Sequence, residues 1–267
     1  MNYTDTALTD IPLIREVIFY EETDSTNARA KDLIRAGAEG GTLVAADMQT
    51  AGRGRLGRSF SSPSGEGIYM SLILKPELSP DRFSMLTILA AMAIARAFEA
   101  LYDLKADIKW PNDILVNNKK TVGILTEGVL PDHVIIGIGI NVNNREFPDS
   151  LVNAGSLLLE TGQPQDRGTL LYTVLSGFSE LYARFLSSQD LSFITEEYNR
   201  RLIHMDKEIF VIPFDRTMDS ADPYALSTEG LSPVLCRGIE KSGALMVEDT
   251  AGHISFLNSG EVSVRFL

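Results

Sequence analysis

The spacing of apolar and polar positions changes period several times along this chain, and each change marks an element. Residues 14–21, IREVIFYE, carry β-branched and aromatic side chains and predict a strand. Residues 23–37, TDSTNARAKDLIRAG, predict a helix, with Asp24 or Ser25 accepting its first free N–H groups and Gly37 ending it. The apolar runs TLVAAD (42–47) and GIYMSLILKP (67–76) predict buried strands. LSPDRF then opens a long helix, with Ser79 as cap and Pro80 where a missing N–H costs nothing. DIKW (107–110) and DILVNNKKTVGILTEGV (113–129) read as strands, the second folding back at Asn117–Asn118. HVIIGIGINV (133–142) is a strand with Gly137 and Gly139 inside it, a mark of close approach by a ligand or another backbone.

Helical spacing returns at Leu171, Val174, Leu175, Phe178, Leu181 and Phe185, and again in DLSFITEEYNRRLIH (190–204), where Asp190 is the expected cap. After about residue 206 it stops. EIFVI, PVLCRGI, GALMVED, HISFLN and EVSVRFL predict short strands and a small all-β barrel over 207–267, behind a mixed domain over 1–206. Residues 214–233 read as a polar loop within that barrel. The apolar stretch 83–102 contains Arg96 and Glu99, which points to a buried helix rather than a membrane span.

Composition narrows the function classes. With 267 residues and 44% apolar content the chain has ordinary globular composition. Its formal charge of −12 disfavours general binding to nucleic-acid backbones or anionic membranes. The single cysteine, Cys236, allows no internal disulfide and fits a reducing cytoplasm. The first residues lack the basic start and apolar run of a signal peptide.

Against this acidity stands AGRGRLGRSF (51–60), with three arginines and three glycines. Glycines can take positive φ and let N–H groups converge on an anion, while guanidinium forks match carboxylate or phosphate oxygens. A plain solvated loop would account for the composition alone. In KWPNDILVNNKKTVGILTE (109–127), Asn112 and Asp113 follow Pro111 on a turn, and Lys120 lies beyond the hairpin. A lysine held near a buried aspartate keeps a localised charge that can offset charge on a reacting oxygen, although a proline turn with surface lysines also fits. TDSTN (23–27) exceeds what capping requires. GIGINVN (137–143) ends a glycine-bearing strand with Asn141, an amide suited to the edge of adenine.

In this order and spacing, these four motifs resemble those of biotin protein ligases, and RGIEKSGALMVED…GEVSVRF resembles the terminal barrel of that family. The resemblance runs from about residue 14 to the end of the chain. It implies an α+β fold: a mixed-sheet, class II synthetase-like catalytic domain with flanking helices, plus an SH3-like β-barrel. It implies ATP and biotin as substrates, with Mg2+ expected and its ligands unreadable. Biotin is joined to AMP, then passed to a lysine of a biotin carrier domain of the acetyl-CoA-carboxylase type. No enzyme nucleophile is needed, which leaves Cys236 to the barrel core.

Carried over by position, Ser25, Thr26 and Asn27 line the ureido pocket and Gln49 faces biotin. Gly52, Arg53, Gly54 and Arg55 fold over biotin and the phosphate link, and Arg58 holds nucleotide phosphates. Lys120, with Gly123 beside it, reaches the reacting carboxylate, so Lys120, Arg53 and Arg55 form the catalytic set. Lys109, Asn112 and Asp113 support ATP, and Asn141 contacts the adenine.

The chain departs from the pattern at Phe60, where many relatives carry tryptophan. Thirteen residues precede the first predicted strand, too few for the helix-turn-helix some relatives bear, so no DNA-binding role is expected. The segment 214–233 is longer than a barrel loop needs. A ligase for lipoate or octanoate is the competing enzyme reading, and a non-catalytic biotin sensor the competing binding reading. A cytoplasmic protein without membrane or nucleic-acid partners is expected. Pairing into a homodimer is left open.

Overall fold

In the computed structural model, which describes residues 8–213, 228, 230–258 and 262–266, the predicted strands form two sheets. The larger has seven strands: β1 (Glu16–Thr23), β2 (Thr42–Gln49), β3 (Gly67–Leu74), β4 (Asp107–Lys109), β5 (Asp113–Val116), β6 (Lys119–Val129) and β7 (His133–Asn141). Their spatial order is β1-β2-β3-β7-β6-β5-β4. Helix α1 (Thr26–Arg35) carries the chain between β1 and β2, which therefore pair in parallel, and the other neighbours are antiparallel. The tight β5–β6 turn is made by Asn117 and Asn118 at φ of 47° and 63°, a conformation asparagine tolerates.

The two faces of the sheet are built differently. One presents Leu43, Ala45, Ile68, Met70, Leu72, Ile124, Ile136 and Ile138 to a continuous core with α2 (Ser84–Tyr102) and α4 (Arg167–Ser188). Helix α2 is long and apolar enough to cross a membrane, but most of it is buried inside the protein, as the sequence reading held. On the other face, Ala30 of α1 covers Val44, Ile73 and Ile135. Further along, cross-strand neighbours Ser71–Gly137 and Gly139–Gly123 bring only small side chains to the surface. That change from large to small opens a hollow beyond the start of α1.

Helix ends depart from the local expectation. Gly37 does end α1: at φ 96° its N–H bonds Ile34 O, and Ala38 N–H bonds Leu33 O. At the other end neither Asp24 nor Ser25 caps with its side chain. Asp24 Oδ1 takes the Ser25 N–H at 2.6 Å, and the Thr26 N–H goes to Gln49 Oε1 at 2.8 Å, 23 residues away. Ser79 also makes no cap bond, because Pro80–Arg82 forms a short 3₁₀ turn before α2 begins. Asp190 accepts the Ser192 N–H at 3.0 Å, but Leu191 holds the cap position of α5 (Ser192–Arg201). The cap of α4 is Asp166, which the pattern reading passed over, as it did the short α3 (Leu157–Thr161).

The second sheet holds β8 (Glu208–Pro213), β9 (Val234–Ile239), β10 (Leu245–Glu248), β11 (Ile254–Leu257) and β12 (Val262–Phe266), antiparallel in the order β11-β10-β9-β8-β12. Cys236 is buried in its core, as expected. Most of the 214–233 loop, residues 214–227 and 229, lies outside the described residues. Several hydrogen bonds tie the second sheet to the residues before it. Asn199 exchanges two hydrogen bonds with the Ile239 backbone, Leu191 N–H bonds Lys241 O, and Trp110 Nε1 donates to Gly243 O at 3.2 Å.

Candidate active site

The hollow is a cavity of about 1000 Å³. Its floor is Gly137, Gly139 and Gly123. A β-carbon on Gly137 would collide with the carboxamide of Asn27, and one on Gly139 would lie 2.5 Å from the Phe60 ring. Glycine is therefore needed here for close approach, as the sequence suggested. Phe60 lies across the floor and meets Tyr69 edge-on, with ring centroids 6.4 Å apart.

One end of the cavity is polar. Ser25, Thr26, Asn27 and Gln49 all line it, brought there by the start of α1 and the end of β2. Gln49 links the two elements. Its Oε1 accepts from Thr26 and its Nε2 donates to Ser62 Oγ at 2.8 Å.

A second group of lining residues is cationic. Arg53, Arg55, Arg58, Lys109 and Lys120 line the cavity against a single carboxylate, Asp113, a net of +4 in a chain of −12. Lys120 Nζ lies 2.8 Å from Asp113 Oδ1. Asn112 donates to the same oxygen at 3.1 Å, and its own Oδ1 accepts from Arg55 Nη1 at 3.3 Å. The turn after Pro111 thus holds the ribbon and the lysine together. Burial pulls the Arg55 guanidinium down from its ordinary value, the nearby Asp113 charge opposing this; an arginine stays cationic regardless. Lys120 is pinned through its backbone, by N–H to Asn153 O and by its carbonyl to Gly155 N–H. Asn141 donates to Gly155 O at 3.0 Å, so the lysine and the amide share one anchor.

The arginine–glycine ribbon is a small closed hairpin. Phe60 N–H bonds Gly52 O, Gly54 N–H bonds Arg58 O, and Arg58 N–H bonds Arg55 O. Only Gly57 of its glycines takes a positive φ, at 71°. The expected convergence of ribbon N–H groups on an anion does not hold for these three donors, because the loop's own carbonyls use them. Gly54 lines the cavity beside the arginines, but Gly52 does not. Gly52 packs behind the wall, where a β-carbon would strike Phe60 O and Ser62 Oγ.

Comparison with known proteins is consistent with this geometry. The family model described as biotin/lipoate A/B protein ligase matches residues 19–141. The bifunctional ligase/repressor BirA of Escherichia coli is 34% identical over 257 residues, covering 91% of this chain and 72% of that protein. The biotin–[acetyl-CoA-carboxylase] ligase of Paracoccus denitrificans is 32% identical, covering 86% and 93%. The chain belongs to the biotin/lipoate A/B protein ligase family. Biotin protein ligase from Aquifex aeolicus in complex with biotin and ATP has a similar fold, with a TM-score of 0.80 at 30% identity over 95% of this chain and all of that one. The Bacillus spizizenii BirA protein is 44% identical over 180 residues, and the match spans only 55% of its length.

Two residues beside the cavity carry no motif signal of their own. Ser71 is fully buried and lies 2.7 Å from Thr26 Oγ1 and 2.6 Å from Asn27 Oδ1. It was visible as the one serine in the otherwise aliphatic and aromatic run IYMSLIL. Glu127 accepts from Asn27 Nδ2 at 2.8 Å, a contact 100 positions apart that no local pattern marks.

Proposed function

We propose that this chain is a biotin–protein ligase. It activates biotin with ATP and transfers it to a lysine of a biotin carrier domain of the acetyl-CoA-carboxylase type. The observation that carries this reading is one cavity that brings together a buried polar cluster, a glycine floor under Phe60, and five cations. The polar end, Ser25, Thr26, Asn27 and Gln49, takes the ureido ring. Phe60 covers the apolar body, and the carboxylate points to Lys120, Arg53 and Arg55. Arg58 and Lys109 face the phosphates, and Asn141 the adenine.

Two anions must meet for a carboxylate oxygen to attack the α-phosphorus and expel pyrophosphate. Fixed cations in a partly desolvated cavity offset the growing charge without reorganising at the moment of reaction. The acceptor amine then attacks the acyl carbon. AMP leaves with the electron pair of the acyl–oxygen bond, and the amine proton passes to solvent. The residues fit magnesium carried in by the triphosphate rather than held by the protein. Among the described residues no three His, Cys, Asp or Glu side chains converge, and Asp113 is already paired with Lys120.

The same proposal divides the chain into a catalytic domain over 1–206 and a barrel over 207–267, supported by the change from helix to strand between Arg201 and Glu208. It places the protein in the cytoplasm, without nucleic-acid or membrane partners, on the strength of its single cysteine and its charge of −12. ATP–pyrophosphate exchange tests it against the lipoate alternative. Biotin should drive exchange and lipoate should not; exchange with lipoate alone overturns the assignment.

A further inference from the structure

The polar end of the cavity is a chain of hydrogen bonds, and the chain has a direction. Glu127 sits at its root, outside the cavity lining. Its Oε1 pairs with Lys31 Nζ at 2.6 Å and its Oε2 accepts from Asn27 Nδ2 at 2.8 Å. Burial alone would raise this carboxyl. Hydrogen bonds from Lys31 and Asn27, with the charges of Lys31 and Arg53, instead hold it below the usual range. An ionised carboxylate only accepts, so the nitrogen of the Asn27 amide must face it.

The consequences run outward. With its nitrogen on Glu127, Asn27 turns Oδ1 to Ser71 Oγ, 2.6 Å away. Ser71 has one proton to give, and Asn27 Oδ1 takes it. Ser71 Oγ and Thr26 Oγ1 lie 2.7 Å apart; with the Ser71 proton spent on Asn27, that shorter contact takes the Thr26 proton in preference to Gln49 Oε1, 3.2 Å away. Gln49 Oε1 is served by the Thr26 N–H at 2.8 Å. Thr26, Asn27 and Ser71 are 4%, 5% and 0% exposed, too buried for bulk water to rearrange these protons freely.

We propose that Glu127 is a positioning residue that sets the direction of this chain, so that Thr26 turns lone pairs rather than its proton toward the cavity and the polar end selects ligands bearing N–H donors. The inference rests on the biotin-ligase reading, in which those donors are the ureido N–H groups. A neutral amide in place of Glu127 leaves only the longer contact of Asn27 Nδ2 with Leu125 O, at 3.5 Å, to hold that orientation. It can itself donate, Asn27 can turn over, and the hydroxyls can reverse.

The test uses the full chain, biotin, and a cyclic-carbonate isostere of biotin in which both ureido N–H groups are ring oxygens. For Glu127→Gln, KM for biotin should rise about tenfold with kcat within about twofold, the scale of one hydrogen bond lost from uniform binding. Preference for biotin over the isostere should fall by the same factor. Ser71→Ala breaks the chain without touching the carboxylate and should lower the preference equally, and the double variant should cost no more than the larger single one. Unchanged preference in a folded Glu127→Gln protein, or additive losses in the double variant, overturns the assignment. If Glu127→Gln fails to melt cooperatively, an unchanged preference in Ser71→Ala overturns it. Wild-type protein that uses lipoate but not biotin overturns this inference and the functional reading together. Wild-type activity on biotin with no effect of either substitution overturns this inference alone.

Discussion

In the proposed reaction, Lys120 concentrates the chemistry at the scale of single residues. Its ammonium sits 2.8 Å from Asp113, and its side chain is 32% exposed, so the pair itself contributes at most about 1 kcal/mol to folding. Replacing Lys120 with alanine should therefore leave the melting temperature nearly unchanged. Adenylate formation should slow by on the order of 10²–10³-fold, the usual cost of removing one fixed charge-stabilising donor. Rapid-quench measurement of biotinyl-AMP checks this, and a near-normal rate would remove Lys120 from the catalytic set. Gly137→Ala makes the opposite kind of change. Its new methyl drives the Asn27 carboxamide off Ser71, and biotin KM should rise by about tenfold or more with the barrel and sheet intact. Isothermal titration with biotin reads the loss directly.

Much of this scale was legible in the sequence, and the exceptions share a cause. Motifs name residues that touch a ligand, whereas Glu127 and Ser71 act on Asn27 from other strands. Gly52 shows the converse. It belongs to the motif, yet the backbone of Phe60 requires it rather than the cavity.

Among elements, the ribbon over 51–60 is the part with a mechanical role. Its hairpin closes on its own carbonyls, so its arginines reach the cavity as side chains on a compact loop. Arg53 is the exposed member. Arg53→Gly should weaken retention of the adenylate, and early release should label bystander proteins. Adenylate dissociation followed by gel filtration, with a count of biotin on an unrelated protein, measures both. Proteolysis between Arg53 and Arg58 should also fall when biotin and ATP are present; equal cleavage in both states contradicts a loop that clamps its ligands.

Strands, the long helices and the Asn117–Asn118 turn followed from hydrophobic period and turn chemistry. Helix starts were less legible. At α1 the local candidates lost to Gln49, a tertiary partner that satisfies the Thr26 N–H and, through Ser62, ties the helix to the segment just after the ribbon.

For the whole molecule, the contact of Trp110 with Gly243 O joins the C-terminal sheet region to the turn that holds Arg55 and Lys120. The joint contains a fully buried histidine, His204, between α5 and β8. Burial pushes its imidazole down to about 3, with the charges of Lys109 and Lys207 acting in the same direction. The folded value is below the ordinary 6.5, so the unfolded chain binds this proton more readily. Stability from this group is complete above about pH 6.5 and is lost as pH falls toward 3. Urea melts should show roughly 2 kcal/mol less stability at pH 5 than at pH 7 from this residue, and His204→Gln should flatten that slope. The change from helices to short strands near residue 206 was plain from the change of period. The docking of the barrel was not, because it depends on Trp110, Asn199 and Leu191 meeting the turn over 238–243.

The most direct test of the central claim is transfer of radiolabelled biotin by the purified chain to a biotin carrier domain, with and without ATP. The account predicts stoichiometric labelling of one carrier lysine that requires ATP and releases AMP and pyrophosphate. Labelling without ATP, or a carrier left unlabelled while lipoate is transferred in its place, would contradict it.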